Sequence, residues 1–219
     1  MDNNSATEAS VGFVLFSAMA TTNPWDERYA SDAFFYGIEP NDFLATSAHH
    51  LVSGGKVLCL AEGEGRNAVW LARQGYDVTG VDGSSVGLEK AQALAREHGV
   101  SITTITADLA EFDMGEQQWD AIVSIWCHLP PGLRQDVHSR AMRALKPGGV
   151  LILESYRPKQ LEYKTGGPPV AEMMMTEDTL RKELCLLDFV HLVETDREIH
   201  EGPGHNGLSA VVQCIAKRG

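Results

Sequence analysis

From Lys56 to Tyr156, short runs of Val, Ile and Leu alternate with amphipathic segments, which restricts the chain to a parallel sheet flanked by helices. "KVLCL" is a first strand, "RNAVWLARQG" its helix, stopped at Gly75, and "DVTGVD" a second strand. "SSVGLEKAQALAREHG" predicts a helix capped by Ser84 or Ser85, with Leu88, Ala91, Leu94 and Ala95 on one face and Gly99 as its stop. "VSITTITAD" and "WDAIVSIWC" are the third and fourth strands. Pro130 and Pro131 then open a helix carrying Leu133, Val137, Ala141 and Leu145 at four-residue spacing, and "KPGG" turns the chain into a fifth strand, "VLILESY". Beyond Tyr156, "RPKQLEYKTGGPPVAEMMM" is too long for a mere connector. Thr176 caps a short helix, and "DFVHLVETD" and "LSAVVQCIA", joined by the turn-rich "HEGPGHNG", predict an antiparallel hairpin at one sheet edge.

The 219 residues suit one domain, from Trp25 to Gly219, after an N-terminal extension, residues 1–24, expected to be poorly ordered. Within that extension "VGFVLFSAMA" is preceded by acidic rather than basic residues, so it reads neither as a secretory signal nor as a membrane span; Met19 is the expected natural start. A net charge of -12 argues against a nucleic-acid partner. The four cysteines, Cys59, Cys127, Cys185 and Cys214, form no C-x-x-C pair and read as reduced thiols of a cytoplasmic protein. His49 and His50 fall on a surface helix, and His98, His138 and His191 have no companions at metal-ligand spacing, so no metal is assigned.

The chemistry concentrates in "VLCLAEGEGRNAVWLA". "GEGRNA" satisfies G-x-G-x-x-A, with Asp82 about 20 residues on to take ribose hydroxyls. A pyrophosphate in this turn would meet Glu62 and Glu64, a repulsion of about 4 kcal/mol per charge pair at roughly 4 Å and an effective dielectric of about 20. That speaks against an NAD-dependent oxidoreductase. A cationic cofactor without phosphate reverses the sign, and S-adenosylmethionine fits: its sulfonium and ammonium are positive and its ribose offers two hydroxyls.

Together with the acid in "GVD", the "ADL" after the third strand and "LKPGGVLILE", this stretch resembles the motif series of class I S-adenosylmethionine-dependent methyltransferases. "GEGRNAVWLARQGYDVTGVD" is similar, more narrowly, to the tellurite-resistance TehB-like branch, with its G-x-G-R-N and G-Y-x-V. The resemblance implies a doubly wound, Rossmann-like α/β fold: a seven-stranded sheet, mostly parallel with the last strand antiparallel, and helices on both faces. It also implies methyl transfer to a small molecule, a thiol or a selenium or tellurium oxyanion. Oxygen or nitrogen methylation is the runner-up, and a non-catalytic S-adenosylmethionine-binding module is a further alternative.

Carried over by position, Gly63 and Gly65 approach the methionyl end, with Arg66 and Asn67 completing the turn. Asp82, followed by Gly83, takes the ribose; Ala107, Asp108 and Leu109 hold the adenine; Ser124, Ile125 and Trp126 floor the site; and Tyr36 is its lid, from a segment that also carries Trp25, Arg28 and Tyr29. The chain departs from the family's D-x-G-x-G at Cys59 and Ala61, so that Glu62 or Glu64 supplies the missing charge. His128 and His200 are the candidate catalytic histidines, His200 being preferred to His205. Arg157, Lys159 and Lys164 form a basic cluster suited to an anionic substrate, and Met173 to Met175 border the same loop.

Overall fold

A computed structural model describes residues 23–219; Met19 and the apolar run of residues 11–20 lie outside the described residues. Asn23 and Pro24, assigned by sequence to the extension, belong to the fold: Asn23 caps helix α1 (Pro24–Tyr29) and donates from Nδ2 to Gly83 O at 2.6 Å. Helix α2 (Asp42–Ser47) follows, capped by Asn41, and then the strand and helix series begins.

The strands are β1 (Lys56–Leu60), β2 (Asp77–Asp82), β3 (Thr103–Thr106), β4 (Trp119–Ile125), β5 (Leu145–Tyr156), β6 (Leu187–Glu201) and β7 (His205–Arg218). They form one sheet in the order β3-β2-β1-β4-β5-β7-β6. Pairing is parallel from β3 to β5, and β7 runs antiparallel to both β5 and β6. The helices between them are α3 (Arg66–Arg73), α4 (Ser85–Glu97), α5 (Pro131–Ala144), α6 (Gln160–Tyr163) and α7 (Glu177–Glu183).

Two-residue alternation along each strand divides the core between the sheet's faces. Val57 and Cys59 of β1 pack with Ala68 and Leu71 of α3 and with Ala91 and Leu94 of α4. Leu58 and Leu60 face the other way, into the cluster that holds Val137 and Ala141 of α5, Leu180 of α7 and Leu184, which caps that helix. The resulting arrangement is a doubly wound, Rossmann-like α/β sheet, with helices on both faces. Ser84, rather than Ser85, caps α4 through a bond to Gly87 N. Leu145 leaves α5 to begin β5, and the long loop after β5 carries α6 and a short 3-10 turn. No helix among the described residues is long and apolar enough to cross a membrane.

The hairpin at the edge corrects one expectation. "HEGPGHNG" is mostly strand: β6 continues to Glu201 and β7 starts at His205, which leaves Gly202, Pro203 and Gly204 as the turn. Glu201 pairs with His205 and His200 with Asn206, and residues directly opposite one another share a face. Cys59, Cys127 and Cys214 are buried free thiols, whereas Cys185 is exposed.

Candidate active site

The strand order reverses between β1 and β4, and in such sheets ligands bind beyond the carboxyl ends of the strands at that point. A cleft of about 1280 Å³ opens there. Its floor comes from the ends of β1, β2 and β4, and its roof from α1, Phe35 and Tyr36, the 164–169 loop and the β6–β7 turn. Ala61 and Trp126, which end β1 and β4, both hold positive φ (51° and 57°). Ala61 occupies a position where the resembled motif has glycine, and its backbone adopts the left-handed form at a cost of about 1–2 kcal/mol. The departure therefore changes the residue and keeps the turn.

Asp82 is buried at the end of β2; its Oδ2 accepts from Gly63 N and its Oδ1 from Ser84 N, each at 2.8 Å. Burial raises its pKa, and the two amide bonds oppose the shift. Glu62 also lines the cleft, its Oε1 accepting from Ala68 N at 2.8 Å in the first turn of α3. Desolvation pushes its pKa up to about 7 against the pull of that amide and of Arg66. Cys59, at the family's acidic position, is fully buried, its thiol held well above the usual range by burial and by Glu62.

Glu64 lies in the cleft wall but is already committed. It pairs with Lys90 and accepts from the backbone amides of Phe35 at 2.8 Å and Tyr36 at 3.3 Å. Lys90 also donates to the carbonyls of Ser31 and Ala33, at 2.9 and 2.8 Å, so the pair fastens residues 31–36 over the site. Neither Gly63 nor Gly65 lines the cleft: a Cβ on Gly63 would meet the Tyr29 hydroxyl, and at φ 93° the Cα of Gly65 faces Ala91 of α4 so closely that a Cβ would overlap it. Gly65 serves helix packing, and both placements correct the expected contact with a ligand. Arg66 and Asn67 line the cleft and are tied to protein partners, Arg66 Nη2 to Glu201 Oε2 at 2.6 Å and Asn67 Oδ1 to Asn41 N at 2.9 Å.

Gly83, Ala107, Asp108, Leu109, Ile125, Trp126 and Tyr36 all border the cleft, as the sequence implies. Asp108 is exposed, its Oδ1 accepting from Ala110 N at 2.8 Å. Ser124 is buried in β4 and does not line the cleft, another correction. Tyr36 lies beneath Arg28, whose Nη1 donates to its hydroxyl at 3.1 Å.

The histidines rearrange most. His128 lines the cleft, but Tyr156 N donates to its Nε2 at 3.1 Å and its Nδ1 lies 3.0 Å from Trp126 O. A nitrogen that accepts from an amide carries no proton, so Nδ1 holds it and donates to the carbonyl. Burial lowers the His128 pKa to about 3. Both ring nitrogens are spent on backbone, and His128 has no free lone pair to act as a base. His200 is exposed on the other face of the hairpin, its Nδ1 3.0 Å from Asn206 Oδ1, and it does not line the cleft.

His205 is the histidine that the fold delivers. It is buried in the cleft wall, its ring 4.6 Å from that of Tyr36 and 4.9 Å from that of Trp126. Its Nδ1 lies 3.7 Å from Glu201 Oε2, within ion-pair range but beyond a hydrogen bond, and has no other partner. Burial lowers its pKa while the Glu201 carboxylate opposes the shift.

Sequence reasoning also missed the buried network behind this wall. Glu201 accepts from Arg66, from Trp126 Nε1 at 2.6 Å and from Asn41 Nδ2 at 2.8 Å. Burial alone would raise its pKa; His205, Arg66 and Trp126 together hold it well below the usual carboxylate range. Glu154, fully buried in β5, accepts from Asn41 Nδ2 at 2.6 Å, Gln213 Nε2 at 2.7 Å and twice from Arg197, at 2.9 and 2.7 Å. The basic cluster disperses: Arg157 and Lys159 pair with Asp196 on β6, and Lys164 alone reaches the cleft. Of the three methionines, Met173 lines the cleft, and Met174 and Met175 are core.

Residues 57–149, which supply four strand ends of this cleft, match the family model described as a methyltransferase domain. An uncharacterized methyltransferase of Synechocystis is 34% identical over 166 residues, which cover 74% of this chain and 69% of that protein. The chain belongs to the methyltransferase family. Its match to an uncharacterized methyltransferase of Bacillus subtilis is 32% identical over 102 residues but spans only 40% of that relative's length and 46% of this chain. Among solved structures, TehB from Haemophilus influenzae superposes with a TM-score of 0.68 at 19% identity, over 89% of this methyltransferase chain and 66% of TehB. At that identity the likeness is one of fold.

Proposed function

We propose that this family member transfers a methyl group from S-adenosylmethionine to a small molecule, as a member of the TehB-like branch. One observation carries the reading. Glu62, Asp82 and Asp108 line the cleft, and no cationic side chain among the described residues forms an ion pair with any of them. Three unpaired carboxyls favour a ligand with positive centres and hydroxyl or amine donors, and disfavour a pyrophosphate.

S-adenosylmethionine, when bound, supplies a methyl group on sulfur that is already activated for transfer. Asp82 would take the ribose hydroxyls, since each of its oxygens has accepted only one amide and keeps a lone pair. Asp108 and Leu109, beside Gly83 and Ala107, would hold the adenine. Glu62 would face the methionyl end, and Ile125 and Trp126 would floor the site. Tyr36, fastened through Glu64 and with its ring against those of Phe35 and His205, would exclude water, and His205 would accept a proton from the acceptor at Nε2, with Nδ1 turned to Glu201. Beyond that proton transfer, the protein's work at the transition state is alignment and dryness.

Asp82→Ala is expected to weaken S-adenosylmethionine binding by about 1.5–3 kcal/mol, the worth of charge-assisted hydrogen bonds, with the fold retained. Titration calorimetry on the folded variant checks this, and unchanged affinity would remove Asp82 from the site. The pH dependence of binding offers a second check. Glu62, with its pKa raised from 4.5 to about 7, lends stability that is complete below 4.5 and is lost as pH rises through 7. A cationic ligand binds its ionised form, so affinity should climb as pH rises through 7 in the native chain, and Glu62→Gln should flatten that climb. A flat profile in the native chain contradicts the placement of a cation beside Glu62.

A further inference from the structure

Membership in the family does not choose the acceptor, because one cofactor cradle serves many chemistries. The acceptor end of the cleft is more discriminating. Trp126 is held there by its indole N–H bond to Glu201 and is stacked on Tyr156 at 4.5 Å and 25°, with the His128 ring nearly parallel at 6.4 Å and 13°. His205 meets the Trp126 ring edge-on, at 64°, and meets the Tyr36 ring on the lid at 42°. Trp126 is also one of the strained residues, and strain of this kind persists where surrounding contacts over-determine it. Pro168, Pro169 and Met173 continue the apolar wall.

The charges at this end are equally sparse. Arg66 is paired with Glu201, and Arg28 is engaged with the Tyr36 hydroxyl and the faces of Trp25 and Phe35, 4.8 and 5.3 Å away. Lys164 is the remaining cleft-lining cation, and its ammonium has no partner among the described residues. An inorganic oxyanion is small, strongly hydrated and multiply hydrogen-bonding, and a site for it gathers several cationic or N–H donors. Here one lysine faces a cleft that holds several carboxylates.

We infer that the acceptor is a planar aromatic monoanion that carries a hydroxyl or thiol: its ring lies along Trp126 and Tyr36, its charge meets Lys164, and its protic atom faces His205. The inference rests on the methyltransferase reading above. In the transfer step, the acceptor's O–H or S–H proton passes to His205 Nε2 while its electron pair forms the new bond to the methyl carbon. The donor's carbon–sulfur bond breaks with its pair returning to sulfur, which leaves a neutral thioether as the spent donor and an aryl methyl ether or aryl methyl thioether as the product.

The test uses salicylate and thiosalicylate as probes, their uncharged amides, and selenite and tellurite, with binding followed by tryptophan fluorescence in the presence of S-adenosylhomocysteine and transfer followed with labelled S-adenosylmethionine. In the native chain the acids should bind about tenfold more tightly than the amides, as a charge-assisted contact implies. In Lys164→Met, an exposed position, that preference should vanish while the amides bind unchanged. The oxyanions should neither displace the rings nor be methylated faster. Equal binding of acids and amides in the native chain, failure of any ring to bind or be methylated, or preference for the oxyanions would each overturn the inference. Failure of S-adenosylhomocysteine itself to bind would instead count against the underlying reading, so the two failures are distinguishable.

Discussion

His205→Gln should lower methyl-transfer turnover by roughly a hundredfold, the usual worth of a positioned base, with S-adenosylmethionine affinity intact. His200→Gln should change neither. The contrast follows from strand geometry: Glu201 and His205 face each other across β6 and β7 on the cleft side, whereas His200 pairs with Asn206 on the outside. The useful form of His205 is the neutral ring, and burial lowers its pKa, so native turnover should hold as pH falls through 6.5 and drop only below it. His205→Gln should lose that acid limb. Steady-state rates and pH profiles of the two variants, with one acceptor at saturation, check the assignment. Native turnover in His205→Gln would leave the cleft without a histidine base, since His128 has both nitrogens bonded to backbone.

The second large effect is on stability. Glu154→Ala should destabilise the fold by about 3–5 kcal/mol, because it leaves the half-buried Arg197 guanidinium, the buried Asn41 amide and the half-buried Gln213 amide without their shared acceptor. For a domain of this size that is a fall in Tm of roughly 10 °C. Glu154→Gln, which keeps the shape and one acceptor oxygen, should lose less. Thermal melts monitored by circular dichroism decide it, and a loss under about 1 kcal/mol for the alanine variant would mean that the network reorganises around the gap. Asn41 links Glu154 to Glu201, so this network also braces the wall that carries Trp126 and His205.

What the sequence made legible was local. The sheet and its helices follow from two- and 3.6-residue apolar periods, and Asp82, at the end of β2, and Asp108, just beyond β3, stand where those periods locate the cleft. Long-range packing was not legible. Nothing beside Gly65 in the chain announces that Ala91 of α4 will press against it, or that Lys90 will neutralise Glu64 and turn it into a fastening for residues 31–36. The histidines were misread for a related reason. Gly202, Pro203 and Gly204 make a three-residue turn, and moving its boundary by a residue exchanges the inner and outer faces of both strands. Reading "HEGPGHNG" as loop therefore left the choice between His200 and His205 without a geometric basis. Glu154 and Glu201 were invisible as a network because their hydrogen-bond partners lie between 43 and 160 residues away.

The central claim is that the acidic turn was built for a cationic, phosphate-free cofactor. Titration calorimetry of the native chain with S-adenosylmethionine, and separately with NAD, tests it most directly. One saturable site for S-adenosylmethionine and no heat of binding with NAD is the predicted result; saturable binding of NAD, with none for S-adenosylmethionine, would contradict it.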